Sequence, residues 1–174
     1  DEGVEYPGLC VAFSPDGKLL ALAERNGPRP LQVAWRARLV DPQTGDEKGI
    51  LLGHAADIHG LAFSPDGMFL VTAGQDQLMR IWQVSTLSQR SIRDLKRYHK
   101  SKVTFSRRGD RLAVAGFGTF QSPHATVWGL TYALQSESSP PALPPFHVWI
   151  LTLETRVKIE RLAFSSDGKS LAMF

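Results

Sequence analysis

Cysteine is almost missing: Cys10 stands alone in 174 residues, so no disulfide can form within the chain. Its place in a short apolar run marks it as a buried, inert thiol rather than a nucleophile. Long apolar runs are missing too, and nothing approaches the roughly 20 residues that a membrane-spanning helix needs. A basic and apolar leader is missing from the first residues, and so is an initial Met, so the expectation is either a removed leader or an excerpt of a longer chain.

Motifs that carry chemistry are equally sparse. There is no Gly-x-Ser-x-Gly elbow and no phosphate-binding P-loop, and Gly116-Phe117-Gly118 lacks the third glycine of a dinucleotide fingerprint. The histidines His54, His59, His99, His124 and His147 are scattered. His54 and His59 with Asp57 do not have a metal-ligand spacing. No catalytic residue, no metal and no cofactor is expected within the chain.

Charge is weakly biased. The net charge is +3 and the pI about 9.2. The excess is concentrated between Arg90 and Arg111, where Arg90, Arg93, Lys96, Arg97, Lys100, Lys102, Arg107, Arg108 and Arg111 face only Asp94 and Asp110. This reads first as an outer strand, a loop and a hairpin turn facing water, with charges that discourage edge pairing. An acidic protein partner or nucleic acid is the alternative. Only Tyr98 and Phe105 interleave aromatics there, so a nucleic-acid stacking platform is poorly supported.

What the chain does have is a repeated phrase. Ala12 to Gly17 and Ala62 to Gly67 both read AFSPDG, Ala163 to Gly168 reads AFSSDG, and Thr104 to Gly109 reads TFSRRG. Each copy fits Phe-Ser-x-x-Gly-x-x-Leu. Short runs rich in apolar, branched and aromatic residues flank each copy and read as strands. Proline presets φ for a type I turn, Asp tolerates the next position, and Gly accepts the left-handed conformation after it. Each phrase is therefore a tight hairpin. The phenylalanines Phe13, Phe63, Phe105 and Phe164 are spaced by 50, 42 and 59 residues. A four-stranded propeller blade takes roughly 40–45 residues. The middle spacing fits, and the others call for insertions, at Gly27-Pro28-Arg29-Pro30 and at the Ser- and Pro-rich stretch from Ser136 to Pro145.

The stretch from Gly53 to Val84, GHAADIHGLAFSPDGMFLVTAGQDQLMRIWQV, resembles a blade of the WD-repeat β-propeller family. The marks are Gly53-His54 before the first strand, Asp76 in the turn after the second, and Ile81-Trp82 in the third. The resemblance implies an all-β fold, a partial propeller of four-stranded antiparallel blades numbering about three and a half. One incomplete domain is expected over 1–174. Blade 1 covers about 9–52, blade 2 about 53–95, blade 3 about 96–158 with an insertion at 117–145, and the first strands of blade 4 about 159–174. It also implies a structural hydrogen-bonded set of His54, Thr72, Asp76 and Trp82. Drawn as a hydrolytic triad, His54, Thr72 and Asp76 would be buried and would reach no substrate. Unit one departs from the pattern, with Asn26 where Asp76 stands and Val40 in place of Trp82. Unit three offers two third strands, around Trp128 or around Trp149, and the second is favoured because Leu153 to Arg156 follows it as a turn. Trp35 and Trp128 then fall in insertions.

A propeller closes with typically 4–8 blades, so completion is expected from further blades of the same chain or from another copy. The implied function is a non-catalytic scaffold binding a protein or peptide, with nucleic acid and membrane not expected as partners and a cytoplasmic location. The turns after second strands and the lead-ins to first strands form the candidate partner face. Unit two places Gln75 and His59 there. The same register from each Phe adds Arg25 and Phe117 for the turns, and Leu9, Ser101 and Glu160 for the lead-ins. The alternatives are the propeller portion of a multidomain enzyme, either a propeller-gated peptidase or a repeat-containing protein kinase, or a periplasmic propeller.

Overall fold

The computed structural model describes residues 10–26, 34–95, 99–117, 123–129, 151–154, 159 and 161–173. Among them the regular structure is strand and turn, with no helix. The first sheet runs β1 (Val11–Phe13), β2 (Leu20–Asn26), β3 (Ala34–Val40) and β4 (Glu47–His54), paired in that order. The second runs β5 (Ile58–Phe63), β6 (Phe69–Gly74), β7 (Leu78–Gln83) and β8 (Ser88–Asp94). The third comprises β9 (His99–Phe105), β10 (Arg111–Phe117), β11 (Pro123–Gly129) and β12 (Leu151–Glu154). The hairpin β13 (Leu162–Phe164) and β14 (Leu171–Met173) forms the fourth. All described pairings are antiparallel. The first strands are neighbours in series, β1 against β5, β5 against β9 and β9 against β13. The sheets thus stand side by side as blades of an open, partial β-propeller.

The repeated phrase builds the turn of each inner hairpin by one scheme. The Ser14 hydroxyl donates to Asp16 Oδ1 at 2.7 Å and accepts from the Leu19 N–H at 2.9 Å. The Asp16 carboxylate accepts in turn from the Lys18 N–H. Gly17 sits at φ +71°, donating its N–H to the Ser14 carbonyl. Ser64 with Asp66 and Ser165 with Asp167 repeat the pattern. The worn copy keeps it by another route. Its carboxylate has moved from before the glycine to after it, and Ser106 donates to Asp110 Oδ1 at 2.7 Å. The chemistry of the turn is retained although the spelling differs.

Apolar side chains fill the spaces between sheets. On the face that sheet one turns to sheet two, Ala21, Ala23, Ala37, Leu39 and Leu51 share a cluster with Leu61, Phe63, Leu70 and Trp82. Val71, Ala73, Met79 and Ile81 meet Val103, Leu112 and Val114 between sheets two and three, with Phe105 packed against them. Ala115 and Ala125 meet Ile159, Leu162 and Met173 between sheets three and four. Sheets two and three each offer the Phe of their phrase to the sheet before. Fully burying such a side chain contributes about 1.5–3 kcal/mol. Gly60 permits the close approach of β5 and β9, since a Cβ there would stand 2.7 Å from the Ser101 carbonyl oxygen.

Three expectations are corrected. The third strand of sheet three is Pro123–Gly129, not the segment around Trp149, and Trp128 lies across from Leu112 as Trp82 lies across from Leu70. Closing the short connection 118–122 sacrifices less chain entropy than closing the longer one to 147–149. Consequently Leu151–Glu154 is the fourth strand, paired with β11, and the long connection is 130–150 rather than the expected insertion 117–145. Finally, Trp35 is not in an insertion but in β3, where it packs against the cluster between sheets one and two. Trp149 and the stretch 27–30 lie outside the described residues.

Candidate functional site

Sheet two carries a buried polar chain at its junction with sheet one. His54 ends β4, Thr72 lies in β6, Asp76 in the turn after it, and Trp82 in β7. Trp82 Nε1 donates to Thr72 Oγ1 at 3.0 Å. Thr72 Oγ1 is 2.7 Å from His54 Nε2, and His54 Nδ1 is 3.0 Å from both carboxylate oxygens of Asp76. One proton arrangement satisfies every group. The indole donates to the threonine oxygen, the threonine hydroxyl donates to Nε2 of a neutral imidazole, and Nδ1–H donates to the carboxylate. All donors then point toward Asp76. Burial acts to raise the Asp76 pKa, but the hydrogen bond from His54, with those from the N–H groups of Ala55 and Leu78, outweighs it and holds the carboxyl below the ordinary aspartate range.

Two further residues belong to this arrangement, and sequence reasoning missed both. A Cβ on Gly74 would sit 2.5 Å from Asp76 Oδ1 and from His54 Nδ1, so only glycine leaves room for the pair. Arg80 is buried, donating from Nη2 to the Gly53 carbonyl and from Nη1 to Gln89 Oε1, each at 2.6 Å. It ties the last strand of sheet one to β7 and β8. Gly53 holds φ +149°, a conformation that side chains rarely adopt. The signal in the sequence was thin: a glycine before Asp76, and a lone basic residue inside an apolar strand.

This chain of groups has the residue types of a hydrolytic triad but not its setting. The His54 and Asp76 side chains are 1% and 7% exposed. The Thr72 oxygen is occupied by Trp82 on one side and His54 on the other. The arrangement locks one sheet to the next and fixes the turn that follows β6.

That turn carries Gln75, which is exposed and donates its N–H to the Asp57 carbonyl at 2.7 Å. His59 is half-buried at a bulge in β5, and its carbonyl accepts from Lys102 Nζ at 3.2 Å. Lys102, in β9, was not among the expected face residues. Arg25 was expected in a turn but lies within β2, with its guanidinium 5.9 Å from the ring centre of Trp35 on the adjacent strand. Ser101 was expected on the exposed face and is instead fully buried in β9. Phe117 was expected in a turn and is the last residue of β10, opposite His99 and Pro123. Leu9 and Glu160 lie outside the described residues. The ends of the sheets thus bring together Gln75 and His59 with Lys102, and hold the Arg25–Trp35 pair at the corresponding end of sheet one.

The other features of the sequence fall elsewhere. Arg90 and Arg93 lie on β8, while Arg107, Arg108 and Arg111 lie at the β9–β10 turn, at the opposite end from Gln75. Arg111 donates to the Gly168 carbonyl at 3.2 Å, joining sheets three and four. Burial pushes the Cys10 thiol up against a smaller downward pull from Lys102 and a backbone hydrogen bond at Leu61. Among the described residues no group of three or more His, Cys, Asp or Glu could hold a metal ion, and no helix is long and apolar enough to cross a membrane.

Comparison with known proteins places this geometry. A family model described as "WD domain, G-beta repeat" matches residues 45–83. The meiotic recombination protein rec14 of Schizosaccharomyces pombe is 29% identical over 77 residues, covering 44% of this chain and 23% of rec14. Protein HIR1 of Kluyveromyces lactis is 28% identical over 175 residues, covering 93% of this chain and 19% of HIR1. The matched region thus spans less than a quarter of either relative. The WD40 domain of Toxoplasma gondii coronin superposes with a TM-score of 0.68 at 13% identity, over 94% of this chain and 38% of that domain. The match at 45–83 covers Gly53-His54, the turn with Asp76 and the strand with Trp82, so these residues match a WD repeat, and the described sheets share the fold of WD40 propeller domains.

Proposed function

We propose that the chain is a non-catalytic platform that binds a protein or peptide at the sheet ends carrying Gln75, His59 and Lys102. WD40 domains in general act as protein-interaction scaffolds, and the fold and repeat here are of that class. The observation that carries the reading is the placement of Gln75 directly beside Asp76. The polar chain from Trp82 to Asp76 fixes the turn from beneath and leaves the Gln75 side chain outward. Loops held by a rigid scaffold are where binding groups concentrate. Lys102 has three ammonium donors, of which the His59 carbonyl takes one. The Arg25 guanidinium lies over an indole. This chemistry suits a peptide with a carboxylate side chain and an apolar anchor.

Peptides selected from a random library on the intact protein would provide the probe. Replacing His59, Gln75 and Arg25 together by alanine is expected to weaken the selected acidic peptides by about tenfold or more. Unchanged affinity contradicts the assignment. We propose further that additional blades complete the ring beyond the sheets described here.

A further inference from the structure

The turns of the inner hairpins lie at one end of the sheets and adjoin in pairs. A Cβ on Gly67 would stand 3.7 Å from Pro15 of the first turn, and one on Gly168 would stand 3.7 Å from Ser106 of the third. Their charges differ. The first turn sets Lys18 against Asp16, the fourth sets Lys169 against Asp167, and the second carries Asp66 alone. The third reads Ser106-Arg107-Arg108-Gly109-Asp110-Arg111, with three arginines against one aspartate. Of these turns it alone has a positive excess. It has a sheet on either side, so its exposure is that of an interior member of the row.

The fold does not call for Arg107 and Arg108. Asp110 gives the Ser106 hydroxyl the acceptor that Asp16, Asp66 and Asp167 give in the other turns. Positions 107 and 108 are thereby released from turn chemistry, and both residues are exposed. Protection against edge pairing does not account for them, since a hairpin turn presents no strand edge. Arg111 has a structural duty at the Gly168 carbonyl. Arg107 has no ion-pair partner among the described residues. Arg108 is only weakly engaged. The Asp167 carboxyl is held low first by the Ser165 hydroxyl and the Lys169 N–H, and last by the charge of Arg108.

We propose that the Arg107–Arg108 turn docks a short acidic segment of a partner protein, one with adjacent Asp or Glu side chains. A guanidinium can pair two N–H groups with one carboxylate, so two adjacent arginines match two adjacent carboxylates. A nucleic acid fits less well. Its backbone needs a continuous basic track, and exposed Asp66 on one side and Asp167 on the other interrupt it. The turn itself holds no aromatic for a base to stack on. The site lies at the end opposite Gln75 and does not rest on the peptide reading there.

The test uses the 174-residue chain with His59, Gln75 and Arg25 replaced by alanine, which silences the opposite end. The probes are a synthetic peptide with a run of glutamates, its glutamine counterpart, and an oligodeoxythymidine of equal charge. The glutamate peptide is expected to bind and the glutamine peptide is not. Arg107→Pro with Arg108→Asp converts the turn to the Ser-Pro-Asp-Gly of sheets one and two. It is expected to weaken the glutamate peptide by about tenfold or more, with thermal melting unchanged. Should melting fall, Arg107→Gln with Arg108→Gln keeps the turn as it stands and carries the same expected loss. Absence of glutamate-peptide binding overturns the proposal, and so does equal affinity in the substituted chains. Oligonucleotide binding as tight as the peptide's, and lost in the same variants, overturns it in favour of a nucleic acid.

Discussion

Thr72 connects two polar groups that would otherwise be stranded. Its oxygen receives the Trp82 indole N–H and its hydroxyl faces His54 Nε2, both buried. Thr72→Val keeps the shape and removes both partners at once. A buried polar group left unpaired costs about 1–3 kcal/mol, so a loss of that order or more is expected in urea unfolding. The places corresponding to Thr72 in the flanking sheets hold Leu22 and Val114, by their pairing with Arg38 and Thr126. This explains why only sheet two spells the family pattern in full. Asp76 adds a dependence on pH. Its folded pKa lies below the unfolded one, so its contribution is fully present above the ordinary aspartate value and is lost as pH falls through the folded value. Acid unfolding of the wild type should therefore steepen below about pH 4, the ordinary aspartate range, and Asp76→Asn should lose that component. Identical pH profiles for the two proteins would contradict the role assigned to the carboxylate.

Hairpins were the most legible elements, because alternation, a turn spelled Ser-Pro-Asp-Gly and a fixed leucine all agree on one structure. The agreement reached even the worn copy, where Asp110 replaces the missing turn aspartate from the other side of Gly109. Strand ends were less legible. Taking one register from each Phe misplaced Arg25 and Phe117, because β2 and β10 run further past their phenylalanines than β6 does. Ser101 was misplaced because burial depends on the neighbouring sheet, which local pattern does not report. The third strand around Trp128 was one of two candidates and was passed over for Trp149, because Leu153 to Arg156 has the spelling of a turn, whereas Leu151–Glu154 is the fourth strand. Close approach between elements was silent as well. Gly60 looks like any strand glycine until β9 is placed beside it, with the Ser101 carbonyl 2.7 Å from where a Cβ would stand. Gly60→Ala is expected to destabilise by about 1–3 kcal/mol, the range for overpacking. A value near zero in denaturant unfolding would mean that β5 and β9 do not approach as closely as described.

At the scale of the molecule, the described residues form a row of sheets in which sheets two and three each pack their phenylalanine against the sheet before. The polar chain and Arg80 are added at the junction of sheets one and two, where they join β4 to sheet two. Position in the row therefore decides what the same residue contributes. The most direct measurement compares Phe13→Ala with Phe63→Ala by urea unfolding of dilute, monomeric protein. Phe63 is buried between sheets and Phe13 is open, so Phe63→Ala is expected to cost about 3–5 kcal/mol and Phe13→Ala about 0.5 kcal/mol or less. Equal losses at the two positions would contradict a fold in which the sheets stack blade upon blade.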